Sequence, residues 1–127
     1  MKVEISIGEA VDKVTILEIK LEKVTDSGKL KNIKKEYQLL KDAINEVGIL
    51  STSDEYNELR NVNSKLWHIE DEIRIKEFNK EFDEKFIELA RSVYWKNDTR
   101  SDIKRKINLK FGSELIEEKN YTNYKKV

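Results

Sequence analysis

Cysteine and proline are both absent from this sequence, glycine occurs only four times and histidine once. Without cysteine there is no disulfide, no thiolate nucleophile and no cysteine-ligated zinc. A lone His68 cannot form a histidine metal cluster, so neither a metal nor a cofactor is expected. Without proline, nothing forces a long helix to stop. No apolar run approaches the roughly 18 residues of a membrane span, and the first residues carry no signal-peptide core. The expectation is therefore a soluble chain located in the cytoplasm, with no membrane partner. Net charge is formally zero, which argues against bulk attraction to nucleic acid.

What the sequence has in excess is charge of both signs. Charged residues make up 39% of the 127, against roughly a quarter in typical globular domains. That surplus suits helices with one apolar stripe and a charged outer face. Residues 1–127 are expected to form one all-α domain of four or five helices, an antiparallel bundle or helical hairpin with a cationic C-terminal helix.

Local signals place the elements. Ser6-Ile7-Gly8-Glu9 reads as a capping box opening a first helix that ends near Val24, before Thr25-Asp26-Ser27-Gly28. A second helix, about Lys29 to Val47, carries the seam Leu30, Ile33, Tyr37, Leu40, Ile44, Val47 and stops at Gly48. Thr52-Ser53-Asp54-Glu55 caps a third helix reaching about Phe78, with Leu59, Val62, Leu66, Ile69 and Ile73 on one side. Asn79 and Asp83 mark a break before a fourth helix with Phe86, Leu89, Ala90 and Val93. Thr99 with Asp102 three residues on predicts a fifth helix start, and Gly112 fits a left-handed stop. Residues 120–127 read as a polar, frayed tail. On helix one, Val11, Val14, Leu17, Leu21 and Val24 share a side while Ile16 and Ile19 point elsewhere, toward either a second neighbour in the same chain or another subunit.

Several polar residues fall where apolar ones are expected. A helical wheel puts Glu18 between Val11, Val14 and Leu21, and Asn63, Glu70 and Arg74 among or beside Leu59, Leu66, Trp67 and Ile73. Buried charge needs partners; Glu70 and Arg74 can pair at i,i+4, whereas Glu18 needs a cation from elsewhere. Such residues either fix helix register or line a pocket. Charge is also segregated. Arg91 to Lys110 holds seven cations against two acids, a local +5, while His68 to Ala90 holds eight acids against four bases. Arg91, Tyr94 and Asp98 share one stripe; Asn97, Arg100, Lys104 and Asn108 share another if the helix continues or restarts. Guanidinium and ammonium donors grouped with amides and a phenol suit phosphate or carboxylate recognition, and a helix start at Thr99 would add free backbone N–H groups. Pairing with the acidic stretch is the plain alternative. Trp67 reads as core edge, Trp95 as contact surface and His68 as exposed.

Glu55-x-x-Glu58 is an incomplete version of the acidic motifs of helical nucleotide pyrophosphohydrolases, and there is no glycine-rich phosphate loop. Electrostatic catalysis by an Arg/Lys/Glu pocket, as in helical chorismate mutases, finds no residue-by-residue match, so whether the protein is an enzyme stays open.

Taken together, Val3-Glu4-Ile5-Ser6-Ile7-Gly8-Glu9, Asp12 to Lys20, Leu66 to Arg74, and Leu89-Ala90-Arg91-Ser92-Val93-Tyr94 with Asn97-Asp98 and Arg100 resemble a small bacterial and phage family. That family is catalogued only as a domain of unknown function and is met near or fused to glycosyltransferase and surface-polysaccharide genes. The resemblance spans nearly the whole chain. Its pattern falls on Gly8, Glu9, Asp12, Lys13, Glu18, Lys20, Trp67, Glu70, Arg91, Tyr94, Asn97, Asp98 and Arg100; Ala10 and Val11 are smaller than the pattern's branched aliphatics. It implies a carbohydrate or nucleotide-sugar setting and no reaction.

The leading expectation is an accessory domain binding an anionic small molecule, a phosphosugar or nucleotide sugar. Its candidate ligand residues are Lys13, Glu18, Glu70, Arg74, Arg91, Tyr94, Asn97, Asp98, Arg100 and Lys104. Arg91, Arg100 and Lys104 would meet the anion, Tyr94 and Asn97 would orient it, and Glu18 or Glu70 would position a base or cation. The alternative is a non-enzymatic module that dimerises or docks on a glycosyltransferase or other partner. Nucleic-acid binding through the cationic segment is not expected.

Overall fold

The computed structural model describes residues 1–125, so Lys126 and Val127 of the expected tail lie outside the described residues. Four helices follow one another: α1 (Ile7–Lys23), α2 (Ser27–Glu46), α3 (Asp54–Phe78) and α4 (Glu84–Lys110). Each begins at a side-chain oxygen that accepts an N–H of the first turn: Ser6, Asp26, Ser53 and Asp83 respectively. This is the chemistry that makes Ser and Asp favoured N-caps. Gly48 and Gly112 follow α2 and α4 with φ of +81° and +64°, a left-handed geometry that costs glycine least.

The expected fifth helix is absent, because α4 runs unbroken through Asn97-Asp98-Thr99. No proline or glycine interrupts it. The Thr99 hydroxyl donates to the Trp95 carbonyl at 3.3 Å, turning back onto its own helix instead of capping a new one. The backbone N–H groups expected to be free at Thr99 are therefore bonded within the helix.

The result is an all-α bundle built around α1, which packs against the other three helices, while α3 and α4 pair as a hairpin. That pairing is antiparallel: Glu55 meets Lys110 and Glu58 meets Lys106 at one end, and Lys76 meets Asp83 at the other. The apolar centre joins Val11 and Val14 of α1, Ile44 and Ile49, Tyr56, Leu59, Val62 and Leu66 of α3, and Ile103 and Ile107 of α4. Three neighbours explain why α1 carries apolar residues off its main stripe. Ile19 is buried within the chain, so it is not waiting for a second subunit. Because α2 packs along its length only on α1 and reaches α3 just near Tyr56, Ile44 is the one fully buried residue of its six-residue seam.

Beyond Leu66 the α3–α4 hairpin has no third helix against it. From Trp67 to Asp102 only Leu89 is buried, and Ile75, Phe78, Phe82 and Ile87 stand exposed near the turn. Among the described residues, no helix is long and apolar enough to cross a membrane.

Candidate functional site

The start of α1 is clamped to the end of α4. Gly8 N–H donates to the Asn108 side-chain carbonyl at 2.6 Å and Ile7 N–H to Ser113 Oγ at 3.0 Å. With Glu9 N–H on Ser6 Oγ, the first-turn donors are satisfied within the protein and leave no backbone anion site there. One turn later lies Asp12, 1% exposed. Its Oδ1 accepts from Arg100 Nε at 2.8 Å and Asn63 Nδ2 at 2.9 Å, and its Oδ2 from Arg100 Nη2 at 2.5 Å. Asn63 also donates to Thr15 Oγ1, whose own proton goes to the Asp12 carbonyl. The two-pronged geometry is the one guanidinium offers a carboxylate. Asp12 holds the Arg100 guanidinium above its ordinary pKa.

Arg100 is thereby aimed. A third N–H reaches Asn97 Oδ1 at 3.3 Å, which leaves two of its five donors for the cleft that it lines. That cleft, about 260 Å³, is bounded by Glu9, Asn97, Asp98, Arg100, Ser101, Lys104, Lys119 and Tyr121. Lys104, 8% exposed, spans Glu9 at 2.6 Å and Glu117 at 3.6 Å. Glu117 also meets Lys119 at 3.2 Å; that hydrogen bond, aided by Lys104, keeps its carboxyl below the usual range.

Sharing Asn97, Asp98 and Tyr121 with the cleft, an aromatic groove of about 570 Å³ continues along α4 past Val93, Tyr94 and Tyr124. The segment after α4 forms its outer wall. The Tyr124 ring lies 4.6 Å from Tyr94 and 5.0 Å from Trp95, and its hydroxyl bonds Asp98. Burial and then that bond push the Tyr124 phenol up to about 12. Residues 120–125, expected to fray, thus include aromatics that lie against α4.

Of the residues marked out in the sequence, Tyr94, Asn97, Asp98, Arg100 and Lys104 come together on one continuous face of α4. Lys13 sits at the rim, 3.8 Å from Glu9. Arg91 is exposed one turn before Tyr94 and lines neither cavity. Glu18 lies about two and a half helical turns after Glu9 on α1 and so faces the other way. It accepts Tyr56 OH at 2.7 Å and Tyr37 OH at 3.3 Å, and meets Arg60 at 3.5 Å. The missing cation is therefore Arg60, which also binds Glu22 at 2.5 Å. Burial and Glu18 raise both phenols above their usual value. Glu70 and Arg74, expected on the apolar face, are exposed and away from the cleft. They lie where α3 has outrun its neighbours, and no ion pair joins them.

Residues that the sequence reading did not select complete the site: Glu9, Asp12, Ser101, Glu117, Lys119, Tyr121 and Tyr124. Two signals were available. Glu9 and Asp12 stood in the motif set, and Tyr121 and Tyr124 were isolated aromatics in a polar tail. Nothing local announced that Asp12 meets a residue 88 positions away. Among the described residues, no group of three His, Cys, Asp or Glu side chains is arranged to hold a metal ion.

A protein-family model described as a family of unknown function (DUF6165) matches residues 1–125. No curated protein and no solved structure matches the chain.

Proposed function

The chain belongs to this family of unknown function, and from its own geometry we propose that the α4 cleft binds an anionic small molecule, a phosphosugar or nucleotide sugar. The observation that carries this reading is the aimed Arg100, with two donors left over, beside Lys104 in a cleft that opens into an aromatic groove. Phosphate oxygens suit Arg100 and Lys104. A sugar or base ring suits the faces of Tyr94 and Trp95, and hydroxyls suit Asn97 and Asp98. Lys13 and Arg91 extend the cationic rim. The surface-polysaccharide setting implied by the resemblance, bacterial or phage, narrows the anion to sugar phosphates; the reading is of binding and assigns no reaction.

A thermal-shift screen against nucleotide sugars, sugar phosphates and sulfate tests the proposal. At a hundredfold excess over Kd a bound ligand adds about 2.7 kcal/mol, a rise of roughly 5–10 °C for a domain of this size. Lys13→Ala, at a half-exposed rim position, should shrink that rise without changing the ligand-free melting point by more than a degree or two. If none of these anions moves the wild-type melting point, the cleft is not an anion site.

One observation favours a second reading, a module docking on a glycosyltransferase, on another partner or on itself. Ile75, Phe78, Phe82 and Ile87 are all more than half exposed around the α3–α4 turn, the kind of cluster found at protein contacts. On that reading, light scattering should show Phe78→Asp with Phe82→Asp abolishing an assembly that the wild type forms. A wild type that is monomeric at all concentrations and captures no partner would rule it out.

A further inference from the structure

The segment after α4 lines both halves of the groove. Gly112 turns the chain, and Ser113, buried, anchors it by bonding Ile7 N–H and the Leu115 carbonyl. From Leu115 to Lys125 no backbone–backbone hydrogen bond ties the described chain to the body; what holds it are side chains. The Glu117 carboxylate meets Lys104 of the cleft at 3.6 Å and Lys119 of its own segment at 3.2 Å, and Glu118 pairs with Arg105 at 2.8 Å. Farther on, Tyr124 fills the space between Tyr94 and Trp95 while its hydroxyl takes Asp98, and the Lys125 ammonium sits 4.8 Å above the Trp95 ring.

A carboxylate on the cations and a ring on the aromatics are the two chemical features assigned above to the ligand. We infer that residues 114–125 are an autoinhibitory strap, with Glu117 standing in for the ligand's anion and Tyr124 for its ring. This inference rests on the anion-binding reading of the cleft and adds its regulation. A strap fixed at Ser113 and otherwise held by side chains can lift without unfolding a helix. A phosphate dianion brings more charge and more acceptor oxygens to Arg100 and Lys104 than the Glu117 carboxylate does. In the free protein only the lifted fraction is competent, so apparent affinity falls by that fraction.

The test titrates inorganic phosphate, and separately a hexose phosphate, into the full chain and into Glu117→Gln, which keeps the side chain's size and removes its charge. Affinity should rise roughly five-fold in Glu117→Gln, the scale of one partly exposed ion pair. The nuclear Overhauser contacts between the Tyr124 ring and the Trp95 indole should be present in the free wild type and weaken as phosphate saturates. Equal or weaker binding by Glu117→Gln overturns the strap and leaves the cleft reading standing. Contacts between Tyr124 and Trp95 that persist at saturation also overturn it, because the tail would then be a fixed wall. If neither protein binds any phosphate, the cleft reading fails and the strap fails with it.

Discussion

Replacing Asp12 by alanine should cost about 3–5 kcal/mol of folding stability, the range for removing one partner of a buried ion pair. Asp12 receives three charge-assisted or amide hydrogen bonds in a place that water does not reach. Alanine leaves the partly buried Arg100 guanidinium without its anion, and Asn63 with only Thr15. The loss therefore exceeds the net worth of three hydrogen bonds, since the dominant cost is a desolvated charge left unpaired. Against the roughly 5–15 kcal/mol total of an ordinary domain, it is a fifth at the least. A urea titration should show the midpoint falling with an unchanged slope. The paired change Asp12→Leu with Arg100→Met should cost less than Asp12→Ala alone, because it removes the charges together. A loss under about 1 kcal/mol for Asp12→Ala would mean that the pair is not formed.

Gly8→Ala should destabilise by about 2–4 kcal/mol, although alanine in an exposed helix position ordinarily gains up to about 1 kcal/mol over glycine. A Cβ at residue 8 would stand 2.4 Å from the Lys104 carbonyl oxygen and 2.9 Å from Asn108 Oδ1. The first neighbour is helix backbone, which cannot turn aside. The N-terminus of α1 would have to lift off α4, losing the 2.6 Å bond from Gly8 to Asn108 as well as packing. Gly28→Ala is the control: its Cβ would meet only the exposed N-cap oxygen of Asp26, at 3.3 Å, so stability should change by less than about 1 kcal/mol. Denaturant unfolding of the two variants side by side checks the sign. Stabilisation by Gly8→Ala would show that α1 and α4 do not approach this closely.

The elements that are set locally could be read in advance. Ser6 and Ser53 announced helix starts, Gly48 and Gly112 announced stops, and Asn79 and Asp83 bracketed a real turn, because caps act within four residues. The long-range pairings could not be read. Glu18 was marked as needing a cation, yet nothing in the chain distinguished Arg60 from the other basic residues. Thr99 offered a capping signal that lost to helix continuation, since its hydroxyl is satisfied equally well by the carbonyl four residues back. Glu70 and Arg74 were misplaced for a tertiary reason: a wheel assumes that the apolar side of a helix is covered, and the outer half of α3 has only α4 beside it. The stripe of Asn97, Arg100 and Lys104 was visible because an unbroken helix aligns residues three and four apart. What it faces across the groove, Asp12 and Glu9 on one side and the tail on the other, belongs to the folded chain.

The central claim is that Arg100, Lys104 and the aromatic groove form one ligand site, and a residue-resolved titration tests it most directly. With a nucleotide sugar or hexose phosphate added to the isotopically labelled protein, the resonances of Arg100 Nε–H, the Asn97 amide and the Trp95 indole should move along a single saturating curve, while Arg60 Nε–H beside Glu18 stays in place. The absence of saturable shifts at Arg100, or shifts centred instead on Arg60 or Arg74, would contradict it.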